Sequence, residues 1–322
     1  MKKVFVTGGA GYIGAHLVLA LKKAKYQVTV FDNLSTGFKN NLPKGVKFIK
    51  GDIRDMAQLK KAMFGGYDAV IHLAAKKSVM ESMAKPREYA ETNITGTLNV
   101  LKVMAEKKIN KFIFSSTAVV YGHDIKPPFK ETDPTNPDNF YGLTKLEIEK
   151  VLPYFLKIHK IHYASLRYFN AAGYDPAGRI KEVEKDPQNL LPIIMEIARG
   201  KKKKLFIYGD NYDTKDGTCV RDYVHVTDLA DAHIQVLRYL DKHEKVILNL
   251  GSEKGHSVKD VINMAEKVIK KKIPREITKR REGDPPILYA SSKLAKKKIN
   301  YKAKNSDLKT IISTMWETYH RA

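Results

Sequence analysis

Apolar positions fall into two periods along this chain, and the periods take turns. Short runs suited to buried strands lie near residues 3–7, 28–32, 46–50, 68–73, 111–115 and 162–167. Between them, apolar residues recur at helical spacing over roughly 12–24, 56–64, 86–107 and 141–159, as with Ile13, Leu17, Ala20, Leu21 and Ala24. Such alternation predicts an α/β protein, a doubly wound parallel sheet with helices on both faces. Beyond Asn170 the pattern loosens, broken by Gly173, Pro176, Gly178 and Pro187. A helix near 188–199 and a strand near 204–208 follow, then a helix near 226–241, a strand at 246–250 and a helix at 257–270. Leu308, Ile311, Ile312, Met315, Trp316 and Tyr319 share one face of a last helix, a stripe suited to a core.

The first strand runs into Thr7-Gly8-Gly9-Ala10-Gly11-Tyr12-Ile13-Gly14, and a helix starts there. Glycines 8, 11 and 14 therefore stand at a strand-to-helix turn, where missing side chains let a pyrophosphate approach the backbone. The amides and dipole of the first helical turn then face that anion. The second strand ends in Asp32, placed to accept from a ribose 2′-hydroxyl and to repel a 2′-phosphate. NAD is the expected cofactor and the sheet is expected to be Rossmann-type. This NAD-binding domain is expected over 1–170, also receiving segments near 226–252; a smaller, interleaved C-terminal substrate-binding domain is expected mainly in 171–322.

A chain of 322 residues with 43% hydrophobic content can bury a large core. One cysteine, Cys219, forbids an internal disulfide and fits a reducing cytoplasm. No signal pattern or membrane-length apolar run occurs, and no metal is called for. The formal charge of +23 invites a nucleic-acid reading. Its distribution argues against one: the lysines cluster near helix ends, with no basic stripe interleaved with stacking aromatics.

Tyr141 and Lys145 lie four residues apart, on one face of a helix. A phenol is a poor base near neutrality, but a neighbouring cation favours its phenolate. The preceding strand ends in Ser115-Ser116-Thr117, at the edge of the sheet where ligands sit. Thr117 is the candidate to share a hydrogen bond with Tyr141 and a reacting alcohol.

These segments resemble the extended short-chain dehydrogenase/reductases, and within them the UDP-glucose (UDP-galactose) 4-epimerases. The resemblance spans nearly the whole chain. It includes Gly51-Asp52-Ile53, His72-Leu73-Ala74-Ala75, Arg167-Tyr168-Phe169-Asn170, 217–226, Asn249-Leu250-Gly251 and Arg280-Arg281-Glu282-Gly283-Asp284. It implies reversible 4-epimerisation of UDP-hexoses through a 4-keto intermediate, with Tyr141, Lys145 and Thr117 catalytic. Tyr12 and Ile13 are implied to cover the pyrophosphate. Asp32, Asn33, Leu34, Ser35, Thr36 and Gly37 would hold the adenosine ribose, and Asp52 and Ile53 border the adenine. Leu73, Ala74, Ala75 and Lys77 would line the middle of the cofactor, with Asn93 and Tyr168 beside it.

On the substrate side the resemblance implies Phe169, Asn170, Asn189, Leu190, Phe206, Tyr208, Arg221, Arg281 and Asp284. Leu288 falls where family members set the size of the sugar pocket, leaving open whether N-acetylated sugars are also used. A homodimer is implied, formed by the helices near 86–107 and 141–159, with Leu98, Leu101, Val151, Leu152 and Phe155 as candidate contacts. Thr117, Ala75 and Ala15 depart from the commoner serine, glycine and serine. Two rivals are a nucleotide-sugar 4,6-dehydratase and a non-catalytic NAD- or RNA-binding protein. The dehydratase pattern has an Asp-Glu pair directly after the strand-end threonine, where this chain has Ala118 and Val119.

Overall fold

A computed structural model describes residues 2–122, 125–281 and 285–322. The chain begins β1 (Lys3–Thr7), α1 (Tyr12–Lys23), β2 (Gln27–Asp32), β3 (Lys47–Lys50), α2 (Met56–Ala62) and β4 (Ala69–His72). Next come α3 (Val79–Ala84), α4 (Pro86–Tyr89), a wide π-helical turn (Ala90–Thr95), α5 (Gly96–Glu106), β5 (Lys111–Thr117), α6 (Phe140–His159) and β6 (His162–Tyr168). The following part holds β7 (Asn170–Ala172), α7 (Leu190–Ala198), β8 (Leu205–Tyr208), β9 (Val220–His225), α8 (Val226–Tyr239) and β10 (Lys245–Leu250). Last are β11 (Gly255–Ser257), α9 (Val258–Ile269), β12 (Arg275–Thr278), β13 (Ile287–Leu288), α10 (Lys293–Ile299) and α11 (Leu308–Tyr319).

Seven parallel strands form the main sheet in the order β10-β6-β5-β4-β1-β2-β3, a Rossmann-type arrangement. Successive strand residues point to opposite faces, so each strand feeds two cores. Val4 and Val6 pack with Leu17, Leu21 and Leu229, under α1 and α8. Phe5 turns the other way, towards Leu59, Val100, Leu101, Ile148 and Leu152 on α2, α5 and α6. A third core joins α7, α9 and α11 through Leu191, Ile194, Val261, Ile262, Ile311 and Met315. The stripe on the last helix is indeed core.

Beside the main sheet lie two small ones. β7, β9, β11 and β13 make one, with β9 between β11 and β13, and β8 pairs in parallel with β12. Of these strands, the apolar pattern reveals only β8. The helix expected over 86–107 is not uniform either: its backbone widens into the π turn at Ala90–Thr95, which contains Asn93. Such turns are rare and tend to accompany functional sites.

Four histidines are buried in their neutral form, and burial is the main reason each titrates low. His16, His225 and His233 fall to about 4 and His72 to about 3. Their partners fix the tautomers. Asp175 N–H donates to His16 Nε2 (3.0 Å), and Thr97 must accept from His72 Nε2 because its own proton goes to Asn93 O. Below pH ~6.5 the unfolded chain takes up protons that the folded chain refuses until near 4, so stability falls with pH across that window. We expect the melting temperature to drop steeply between pH 6.5 and 4. A flat profile there, followed by calorimetry, would contradict the neutral assignments.

Candidate active site

The loops after β1, β2, β4 and β5 meet at the carboxyl edge of the main sheet, where an open α/β fold places its ligand. Gly8 N donates to Phe31 O (2.9 Å), Phe38 N to Ala10 O (2.9 Å) and Leu73 N to Thr7 O (3.0 Å), so three loops are laced together. Gly8 is essential to that lacing. Its φ is +71° and a Cβ there would stand 2.5 Å from Ala74 N. The N-cap of α1, Gly11, offers no side-chain hydrogen bond, so the first-turn amides are left for an anion.

Asp32 ends β2 with its carboxylate against this loop. One oxygen accepts from Ala10 N (3.0 Å) and the other from Leu34 N (2.8 Å), while burial raises its pKa. Each oxygen keeps a lone pair for a ribose hydroxyl. Asn33 donates to Asp52 (3.0 Å), and Arg54 forks onto the same carboxylate, holding it well below the usual range. Asn33, Ser35 and Thr36 are exposed, Leu34 and Gly37 half-buried, and Ile53 buried. The cradle thus fits a dinucleotide: amides for the pyrophosphate, a carboxylate for the ribose.

Two implied cofactor residues also have partners within the protein. The Tyr12 hydroxyl donates to Gly173 O (2.5 Å), so its ring is turned towards Tyr174 and His16; backbone and ring edge are what it leaves at the loop. Asn93, buried at the π turn, binds the backbone of Lys76 from both sides (2.9 and 3.0 Å) and donates to Thr144 (3.1 Å). It fastens the 73–77 loop to α6. Ile13, Leu73, Ala74 and Ala75 are half-buried along this edge. Lys77 is exposed and paired with Glu184 (2.5 Å), and the Tyr168 hydroxyl pairs with His233 (2.7 Å).

Tyr141, Lys145 and Thr117 do come together. Asn139 caps α6 by accepting from Gly142 N (2.9 Å), and Tyr141 N donates to Ser82 Oγ (3.1 Å) on α3. Thr117 Oγ1 accepts from Val119 N (3.2 Å) and lies near enough to the Tyr141 phenol to favour its phenolate. Lys145 Nζ donates to Ser115 O (2.8 Å). Burial pushes Tyr141 up to about 12, only partly offset by Thr117, and pulls Lys145 down to about 7. The expected lowering of Tyr141 by Lys145 is absent from this geometry, since the ammonium lies 6.0 Å from the phenol ring centroid and faces a carbonyl. The protein alone holds a neutral phenol.

The residues implied for the substrate lie on several distant segments. Asn170 is in β7 opposite Tyr223, and Leu288 in β13 stands opposite Arg221 in β9. Arg221 Nη1 donates to Val220 O (2.9 Å) and Pro285 O (2.8 Å). The Arg281 guanidinium stacks 3.8 Å above the exposed Tyr208 ring, with Phe206 also exposed on the same strand. Phe169 is buried in an apolar wall that also holds Ala118, Leu146 and Ala290, with Leu288 packed against it. Asn189 is exposed at the start of α7 and Leu190 half-buried behind it. Asp284 lies outside the described residues. Sequence reasoning missed Ser82, the Asn139 cap and the partners of Asp222, whose buried carboxylate accepts from Ser252, Glu253 and Ala290 and ties β9 to 252–253 and 290.

The sequence profile of the NAD dependent epimerase/dehydratase family matches residues 4–251. A UDP-glucose 4-epimerase of Halalkalibacterium halodurans is 45% identical over 97% of this chain and 94% of its own. The crystal structure of UDP-glucose 4-epimerase from Bifidobacterium longum, in complex with NAD+ and UDP, superposes with a TM-score of 0.95 at 38% identity, covering 99% of this chain and 98% of the other. The UDP-Glc/GlcNAc 4-epimerase of Campylobacter jejuni is similar at a TM-score of 0.88 and 36% identity, covering 100% of both chains.

Proposed function

From membership of the NAD dependent epimerase/dehydratase family, to which this chain belongs, we propose that it is an NAD-dependent UDP-glucose 4-epimerase. One observation carries the choice of reaction. Tyr141 stands beside Thr117 at the cofactor edge of the sheet, and the positions after Thr117 are Ala118 and Val119. A 4,6-dehydratase needs acid–base groups for C5 and the 6-hydroxyl as well as C4, and the positions its pattern uses carry none here.

Bound NAD supplies a reversible hydride acceptor at C4 of the hexose. Ionised to a phenolate by the positive charge of the bound cofactor, Tyr141 would take the proton of the 4-hydroxyl and later return it, while Thr117 holds that hydroxyl in line. Lys145, which donates to Ser115 O in the protein alone, would hold the nicotinamide ribose. Arg221 and Arg281 neutralise the diphosphate by forked, charge-assisted bonds. Tyr208 and Phe206 offer a stacking face to the base. Epimerisation requires the sugar to turn over while its anchor stays put, so tight binding belongs at the diphosphate and looseness at the hexose.

The test is direct. Incubation with UDP-galactose should yield UDP-glucose, resolved by chromatography, and the purified protein should show the absorbance of bound dinucleotide. Failure to interconvert the two sugars would overturn the reading.

Leu288 packs on the wall formed by Phe169 and Leu146, a position from which it sets the room beside the sugar. We expect turnover of both UDP-glucose and UDP-N-acetylglucosamine, within the ~10–200-fold discrimination that one group in an apolar pocket provides. Leu288→Tyr should narrow the enzyme towards UDP-glucose. An unchanged ratio of kcat/KM values would remove Leu288 as the gate.

Homodimerisation through α5 and α6 is part of the proposal, with its contacts revised. Leu101 and Leu152 are fully buried within the protomer and cannot serve. Leu98 and Phe155 line a surface groove that also includes Lys102, Ala105, Glu106 and His159, and Tyr154 (65% exposed) and Ile158 (66% exposed) lie on the outer side of α6. Light scattering at micromolar concentration should give twice the chain mass of 36.5 kDa. A mass of one chain would count against it.

A further inference from the structure

Tyr141, Lys145 and Glu149 occupy successive turns on one face of α6, and all three reach β5. Tyr141 faces Thr117, Lys145 donates to Ser115 O (2.8 Å), and Glu149 accepts from Ser116 Oγ (2.5 Å). Glu149 is also gripped from β6. Arg167 stands opposite Ser116 in the strand register, and its Nε (3.1 and 3.2 Å) and Nη2 (2.6 Å) fork onto the Glu149 carboxylate. Only 4% of either side chain is exposed. The guanidinium in turn lies 4.8 Å from the Tyr121 ring centroid, in the turn that follows Thr117.

We propose that Glu149, Arg167 and Ser116 are positioning residues, which fix the height and roll of α6 over β5 and β6 so that Tyr141 meets Thr117. The idea rests on the epimerase reading for what Tyr141 does there. Buried ion pairs are commonly no more stabilising than apolar residues of similar volume, so stability alone does not account for one beneath a reactive helix. Geometry does. Apolar packing tolerates small slips of a helix, whereas a forked pair with a third partner has one register. A slip of about 1 Å at the reacting oxygen can cost ~10²-fold in rate.

The test replaces the network by apolar residues, Ser116→Ala with Glu149→Met and Arg167→Met, in the full-length NAD-loaded protein. We expect a melting temperature close to wild type, retained dinucleotide absorbance, KM within threefold, and kcat reduced roughly 10–100-fold. The acid limb of the kcat–pH profile should move to higher pH, because a phenol displaced from Thr117 ionises less readily. Glu149→Gln keeps volume and an acceptor for Ser116, and should lower kcat several-fold without changing KM. If the triple variant does not fold, the single one decides. A folded variant with wild-type kcat and pH profile would overturn the proposal, whereas a wild-type protein that turns over no UDP-hexose would overturn the functional reading instead.

Discussion

Tyr141→Phe should leave the fold and the bound NAD intact and cut epimerase turnover by ~10²–10⁴-fold, the range for loss of a placed acid–base group. The substitution deletes one oxygen and keeps the ring against its neighbours. That oxygen is the group whose ionisation Thr117 favours. Its pKa of about 12 in the protein alone means that the phenol starts protonated, so charge brought by the cofactor, together with Lys145, must make up the difference. The other ionisable partner is turned elsewhere: Lys145 Nζ donates to Ser115 O. Absorbance of the purified variant separates cofactor loss from chemical loss. A loaded variant within a few-fold of wild type would strip Tyr141 of its role.

Gly14→Ala should give a protein that purifies without NAD and shows no measurable epimerase activity. Its Cβ would lie 2.2 Å from Gly8 O and 2.7 Å from Gly9 Cα, backbone atoms of the loop that faces the pyrophosphate. Neither atom is at the end of a flexible side chain, so relief requires the loop to move. Moving it breaks the lacing of Gly8 to Phe31 and of Phe38 to Ala10. The first-turn amides of α1 then lose the arrangement that an anion needs. Dinucleotide absorbance and titration with added NAD measure the effect. Wild-type retention of the cofactor would show that the loop tolerates a side chain after all.

Legibility followed range. The glycine loop, Asp32 and the Tyr141–Lys145 spacing are local patterns whose meaning comes from strand and helix on either side, and all were readable. β10 was readable too, because five apolar-rich residues at 246–250 resemble a buried strand anywhere in a chain. β9 was not: Val-Arg-Asp-Tyr-Val-His alternates weakly, and its partners β7, β11 and β13 arrive from far away in short pieces. Nothing in the local pattern marks Glu149 on a helix and Arg167 on a strand as partners, and only the tertiary fold turns them into a buried pair. The influence of Lys145 on Tyr141 was overstated for a related reason. Spacing reports which groups are neighbours but not how strongly burial opposes their charges.

The sheet order also governs how the chain can be made. β10, at the edge of the main sheet, covers β6, yet about 75 residues separate the end of β6 from the start of β10. During synthesis at ~5–20 residues per second, a nascent chain ending near β6 carries that strand as a bare edge for several seconds. Bare, flat edges invite pairing with other chains. A product truncated after residue 170 should therefore aggregate on release, while one extended through α8 and β10 should stay dispersed. The interleaving of the chain thus places a kinetic hazard in the middle of translation.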